Sequence, residues 1–211
     1  MIGRAWGGRL GYSTLLIVDD ILKRIAEEKT KYHIYPEDNE IFRIFNAISP
    51  DDARVVILGQ DPYATGNANG YAFGCKFTTS PSLSQINNAI LDANLLNTNR
   101  ERTLQYLVDQ DVFLLNTILT VRWNMSLYHS NMGWNYLIDN VLYILNSGKP
   151  KAFLLWGNEA QKYGPKFNKK HLVLTNEHPA AASHRNAKWE CDHFTKVNDW
   201  LISNNNTPIQ W

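Results

Sequence analysis

Four short runs of large apolar residues recur along the chain, separated by helix-like sequence, and this alternation leaves few folds open. The runs are Arg54-Val-Val-Ile-Leu58, Val112-Phe-Leu-Leu115, Ala152-Phe-Leu-Leu-Trp156 and His171-Leu-Val-Leu-Thr175. Their apolar residues fall on successive positions, not alternate ones. A strand of that pattern is buried on both faces, the condition of a strand inside a parallel sheet. Helical stretches are expected around 83–93, 98–109, 134–147 and 158–163, with a last helix from about Cys191 to Ile202. Ahead of the first run, Ser13 can cap a helix through about Lys29, whose apolar face carries Leu15, Ile17, Ile21, Leu22 and Ile25. Pro36 ends a loop, Ile41, Ile44 and Phe45 suggest a short second helix, and Asn204–Asn206 reads as a turn or a frayed segment. The expectation is one α/β domain spanning residues 1–211, a three-layer α/β/α arrangement around a mainly parallel four-stranded sheet.

Composition narrows the function classes. Lys+Arg 21 against Asp+Glu 20 leaves a formal charge of +1, so any nucleic-acid affinity must come from local charge. Two cysteines, Cys75 and Cys191, are too few for a disulfide scaffold or a cysteine-built zinc site and fit a reducing compartment, the expectation being the cytoplasm, or the nucleus for a eukaryotic or viral chain. No metal or other cofactor is called for, since His178, His184 and His193 lack recognisable ligand spacing. No apolar run reaches the roughly 18 residues of a membrane span, and the first ten residues lack a signal-type apolar stretch. Seven Trp, ten Tyr and eight Phe serve either core packing or base stacking.

In parallel sheets, ligands sit beyond the carboxyl ends of the strands. The four runs deliver Gly59-Gln-Asp-Pro-Tyr63, Asn116-Thr117, Gly157-Asn158 and Glu177-His-Pro179 to that edge. Singly, Asp61 could close a turn, Asn116 cap a helix and His178 sit in a loop. Together they bring a carboxylate, a carboxamide, an imidazole and a phenol to one edge.

Gly59-Gln-Asp-Pro-Tyr63, directly after Val55-Val-Ile-Leu58, resembles the water-activating motif of the family 1 uracil-DNA glycosylases. Further matches follow in order: Ile34-Tyr-Pro36 with Ile41-Phe42, Gly70-Tyr-Ala-Phe73, Pro81-Ser-Leu83, Leu114 to Arg122 with Gly133-Trp134, Leu154-Leu-Trp-Gly157, and His178-Pro179 with Ser183-His-Arg185. The resemblance spans about residues 34–200. It implies uracil excision from single- or double-stranded DNA by a monomer in base excision repair. Asp61 would orient the water and His178, as neutral imidazole, would stabilise the departing uracil. Asn116 would read the uracil edge, Phe73 stack on the ring, Tyr63 exclude a thymine methyl, and the Gln60 and Phe73 backbone touch the base. Ser82, Ser183, Ala182, His184 and Arg185 would meet DNA. Small DNA-mimicking inhibitor proteins are an implied partner.

Three stretches depart from the family pattern. Ala64-Thr-Gly-Asn67 replaces a histidine followed by Gly-Pro-Gly-Gln, and His178-Pro-Ala-Ala-Ala-Ser183 replaces His-Pro-Ser-Pro-Leu-Ser. Ala180 thus takes the place of a phosphate-contacting serine, and Ala182 is too small to act as the leucine wedge that fills a vacated base stack. Trp123-Asn-Met-Ser-Leu-Tyr-His129 is more apolar than its family counterpart, and its Trp123 or Tyr128 could either pack or stack on DNA. Chemistry retained with weakened duplex handling is the expectation. A non-catalytic DNA-binding protein on the same fold, or a glycosylase for another modified pyrimidine, remains an alternative. Lys166, Lys169 and Lys170 read as a solvated face sooner than a DNA contact.

Overall fold

The computed structural model describes residues 2–95 and 101–211. In chain order it forms α1 (Arg4–Gly7), α2 (Tyr12–Lys29), β1 (Ile34–Tyr35), α3 (Arg43–Ala47), β2 (Val55–Gly59), α4 (Pro81–Asp92), α5 (Gln105–Val108), β3 (Val112–Asn116) and β4 (Val121–Arg122). It continues with α6 (Trp134–Ser147), β5 (Ala152–Trp156), α7 (Asn158–Gln161), β6 (Leu172–Asn176), α8 (Pro179–His184) and α9 (His193–Ser203). The main sheet runs β3-β2-β5-β6 with every pair parallel, as the four apolar runs predict. β1 and β4 form a separate antiparallel ribbon that the sequence did not announce. Each of its strands is two residues long, too short for a period to register.

Every residue of β2, β3 and β5 is buried. β6 lies at one edge of the sheet and its Leu172, Val173 and Leu174 are only half-buried, so the expectation of full burial on both faces fails there, whereas β3 at the opposite edge stays buried with α3 and α5 packed against it. α2 begins one residue before its predicted cap. Gly11 is the N-cap, its carbonyl accepting from Thr14 and Leu15, and Ser13 makes no cap bond. The expected 98–109 helix falls partly outside the described residues, and within them only the single turn α5 forms. The carbonyls of Arg102 and Thr103 go instead to Cys75 N–H and Asn69 Nδ2, so they cannot start a helical ladder. Trp6 on α1 is fully buried and its indole donates to Ile48 O at 2.8 Å, an anchor not foreseen from sequence. After the turn at Asn204–Asn206 the chain re-enters the core, where Trp211 packs edge-on against Phe194 with ring centroids 4.9 Å apart. Aromatic pairs of this geometry add about 0.5–1.5 kcal/mol beyond area burial.

Candidate active site

Parallel pairing decides where the strand ends go. Gly59 stands opposite Asn116, Leu58 opposite Leu155, and Trp156 opposite Asn176. The four segments that follow therefore leave the sheet from one edge. There they line a cleft of about 460 Å³ whose walls include Gln60, Asp61, Tyr63, Phe73, Ser82, Asn116, Ser126, His178, Ala180 and His184. That volume lies within the range of ordinary ligand pockets, about 300–1,000 Å³. Asp61, Asn116 and His178, up to 117 positions apart in the chain (178 − 61), share one cavity.

Two glycines make room for this convergence. A Cβ on Gly59 would overlap Asn116 Oδ1 and come within 2.9 Å of Ala72 Cβ. A Cβ on Gly157 would stand 2.9 Å from His178 Cβ, and Gly157 also adopts φ 86°, a region that side chains resist. The carboxamide and the imidazole thus lie where neighbouring strands end in no side chain.

The Asp61 carboxylate is held from beyond its own loop. Its Oδ2 accepts from Ser126 Oγ at 2.8 Å and from Leu127 N–H at 2.7 Å. Gln60 O accepts from Ile118 N–H and Thr117 Oγ1, which fastens the Asp61 loop to the end of β3. His178 Nδ1 accepts from Ala180 N–H at 3.1 Å. Burial, reinforced by His184 and opposed by Asp61, lowers the His178 pKa. A neutral ring whose Nδ1 accepts must carry its proton on Nε2, so His178 is set up as an uncharged Nε2–H donor. Trp189 Nε1 donates to Glu177 O at 3.0 Å and steadies the same segment.

Phe73 has only 8 % of its surface exposed and packs against Trp156 and His178, with centroids 5.5 and 5.8 Å away. It combines a core role with a face on the cleft. Its φ of 64° places a bulky residue in the left-handed region, a strain of about 1–3 kcal/mol that the surroundings must hold. Tyr63 OH bonds Ser80 Oγ at 2.7 Å and donates to Phe73 O at 3.3 Å. Burial raises the phenol's pKa, so Tyr63 acts as a neutral wall.

The remaining expected DNA contacts divide. Ser82 lines the cleft, and Ser183 Oγ donates to Pro81 O at 3.3 Å, so the two serines sit side by side where α4 meets α8. His184 lines the cleft, whereas Arg185 is an exposed residue paired with Glu177 at 2.6 Å. Ala182 departs from expectation. It is fully buried, because Pro179–His184 coils into a helix that turns this position into the core. Its side chain cannot meet DNA. Lys166 pairs with Asp139, and Lys170 donates to the carbonyls of Ser147 and Gly148. Ser126 and Leu127, which hold Asp61, escaped the sequence reading; they lie about 65 positions away and no local pattern marks them. Among the described residues, no cluster of His, Cys, Asp and Glu has the makings of a metal site, and no helix is long and apolar enough to cross a membrane.

A family model described as "Uracil DNA glycosylase superfamily" matches residues 45–202. The chain belongs to this superfamily. A uracil-DNA glycosylase of Haemophilus influenzae (strain 86-028NP) is 39% identical over 193 residues, covering 84% of each chain. One from Klebsiella pneumoniae subsp. pneumoniae is 37% identical over 198 residues, covering 90% of this chain and 86% of its own. Among solved structures, mimivirus UNG Y322L in complex with UGI superposes with a TM-score of 0.83 at 24% identity, covering 92% of this chain and 82% of that one. The UNG of Nitratifractor salsuginis superposes at 0.63 with 20% identity, covering 84% of each. These likenesses show a uracil-DNA glycosylase fold. The superfamily match runs from α3 into α9 and takes in all four strands of the main sheet with the whole cleft.

Proposed function

We propose that the chain is a monofunctional uracil-DNA glycosylase, which hydrolyses the N-glycosidic bond of an extruded deoxyuridine and leaves an abasic site. The observation that carries the reading is the meeting of Asp61, Asn116 and a neutral, Nε2-protonated His178 in one cleft. Extruding the base costs a few kcal/mol of stacking and pairing. Bond breaking then leaves a cationic sugar and an anionic uracil, and the site has a group for each. The Asp61 carboxylate, with Oδ2 already engaged, orients water through Oδ1 and offsets the sugar's charge. A positioned base of this kind contributes about 10²–10⁴-fold. His178 Nε2–H donates to uracil O2 as negative charge gathers there. The Asn116 carboxamide offers an acceptor to N3–H and a donor to O4, an edge that cytosine cannot match; each buried group left unpaired costs about 1–3 kcal/mol. Phe73 stacks on the ring, with the Phe73 and Gln60 backbone at its edge, and Tyr63 fills the space of a 5-methyl group. Ser82 and Ser183 bind backbone phosphate, with His184 and Arg185 beside them.

The protein acts as a monomer on DNA in base excision repair. The mimivirus relative is solved in complex with UGI, and the same face here would admit a DNA-mimicking inhibitor protein. With Ala182 buried, α8 offers no wedge to hold a duplex open, so single-stranded substrate is favoured. Uracil release is measured on matched single- and double-stranded oligonucleotides with wild type and Asp61→Asn. Release by wild type, faster on the single strand and nearly abolished in the variant, is expected. DNA binding without release in either protein would leave a non-catalytic module, and faster release from duplex would overturn the strand preference.

A further inference from the structure

The segment that holds Asp61 also carries a group of large apolar side chains that the proposed chemistry does not use. Trp123, Met125, Leu127 and Tyr128 keep 52%, 43%, 40% and 47% of their surface exposed. Single apolar residues in solvent are ordinary, but four within six positions make a patch, and this loop is fastened along its length. Trp123 N–H donates to His33 O and Asn124 N–H to Ala64 O, each at 2.8 Å, and Leu127 N–H donates to Asp61. Buried His129 closes its far end, bonded to Thr120 Oγ1 at 2.8 Å and to Glu28 at 3.1 Å. Asn124 and Leu127 both adopt left-handed backbone, φ 55° and 63°, which a leucine tolerates only under constraint. A strained, fastened loop holding rings and alkyl groups in water is a surface kept ready for a partner.

The partner's chemistry follows from the place and the charge. Ser126, in the middle of the loop, lines the cleft, and Asn124 and Leu127 on either side of it are bonded to the cleft residues Ala64 and Asp61, so the loop borders the cleft. Residues 123–128 include no charged side chain. The cation beside them, Arg122, lies over the Tyr32 ring, 5.0 Å from that of Tyr128, and so turns toward aromatic faces. The loop therefore offers flat apolar surface and little that binds phosphate. We propose that Trp123 and Tyr128, with Met125 and Leu127 between them, form a stacking platform for the unpaired nucleobases that flank the extruded base. This deepens the glycosylase reading and rests on it for the strand's path. It also supplies a base-filling surface that buried Ala182 cannot.

The test compares a uracil-containing trinucleotide with a single strand of about ten nucleotides, a length within the usual span of single-strand sites. Wild type should gain affinity, read as a lower KM, as the substrate lengthens. Trp123→Ala and Tyr128→Ala should each lose about 5- to 150-fold of that gain, the range one stacked base carries. Trp123→Phe and Tyr128→Phe should restore most of it, which separates loss of a ring from loss of fold. Tyr12→Ala, removing a still more exposed ring on α2, should behave as wild type. Anisotropy with a uracil-free single strand separates the platform from the chemistry. Ring-dependent affinity supports the platform even if no uracil is ever released. Affinity indifferent to both rings overturns it, as does a length gain that survives both alanine variants; a protein partner for the patch would give that result.

Discussion

Gly59→Ala offers a direct test of how the sheet builds the cleft. The added methyl would overlap Asn116 Oδ1 and lie 3.5 Å from its Cγ and 2.9 Å from Ala72 Cβ. The carboxamide is a side-chain tip and can swing away, by about an ångström, whereas Ala72 is fully buried and its backbone N–H is committed to Leu114 O. The variant should therefore fold with an overpacking cost of about 1–3 kcal/mol. Displacing a reading group by about 1 Å costs on the order of 10²-fold in rate. Uracil release measured on a single-stranded oligonucleotide, with urea melts alongside, should show that loss. The decisive arm is a double-mutant cycle. If Gly59→Ala acts by moving Asn116, then in an Asn116→Ala background it should cost almost nothing further in rate, while its stability cost persists through Ala72. Rate losses that simply multiply in the double variant would refute the reasoning.

Two further predictions follow from groups held in place by burial or by a distant donor. Ser126→Ala removes one of two donors on Asp61 Oδ2 and should lower kcat about 10-fold with KM little changed, while Ser126→Thr keeps the activity; a hydrogen bond to a charged group is worth about 1.5–3 kcal/mol, and an unchanged kcat would refute the role. Lys151 is fully buried, donates to Ala53 O at 2.7 Å, and is pushed by burial down to about 8 from an ordinary 10.5. Its folded value lies below the unfolded one, so the charged form costs stability throughout the range below about pH 8, and the cost is relieved as pH rises from about 8 to 10.5. Lys151→Met should therefore be the more stable protein at pH 7, by on the order of 1–3 kcal/mol in urea melts, with the gap closing by pH 10; a gap independent of pH would refute it.

Much of the fold was legible because burial writes itself into short-range pattern. Val55–Gly59, Val112–Asn116 and Ala152–Trp156 sit in the sheet where their uninterrupted apolar runs put them, and α6 occupies the expected 134–147. Elements governed by other forces were not legible. α8 forms in a segment read as loop because Pro179 starts it and the His178 ring caps it, a bond that depends on how the side chain is turned. α5 is cut to one turn because distant groups claim the carbonyls before it. Ala182 looks from its position in the motif like a surface residue, and helix geometry alone turns it inward.

From the order of residues alone came the parallel sheet, the edge at which chemistry gathers, and the identities of Asp61, Asn116 and His178. Each of these depends on hydrophobic period or on side-chain type, which are properties of neighbours in the chain. Only the tertiary structure decided that Ser126 and Leu127 grip the carboxylate, that Gly59 and Gly157 clear space for the amide and the imidazole, and that the Trp123 and Tyr128 rings stay exposed. Those contacts join residues about 20 to 65 positions apart, and a chain's local pattern carries no record of which distant atoms will come within hydrogen-bond range once the strands have paired.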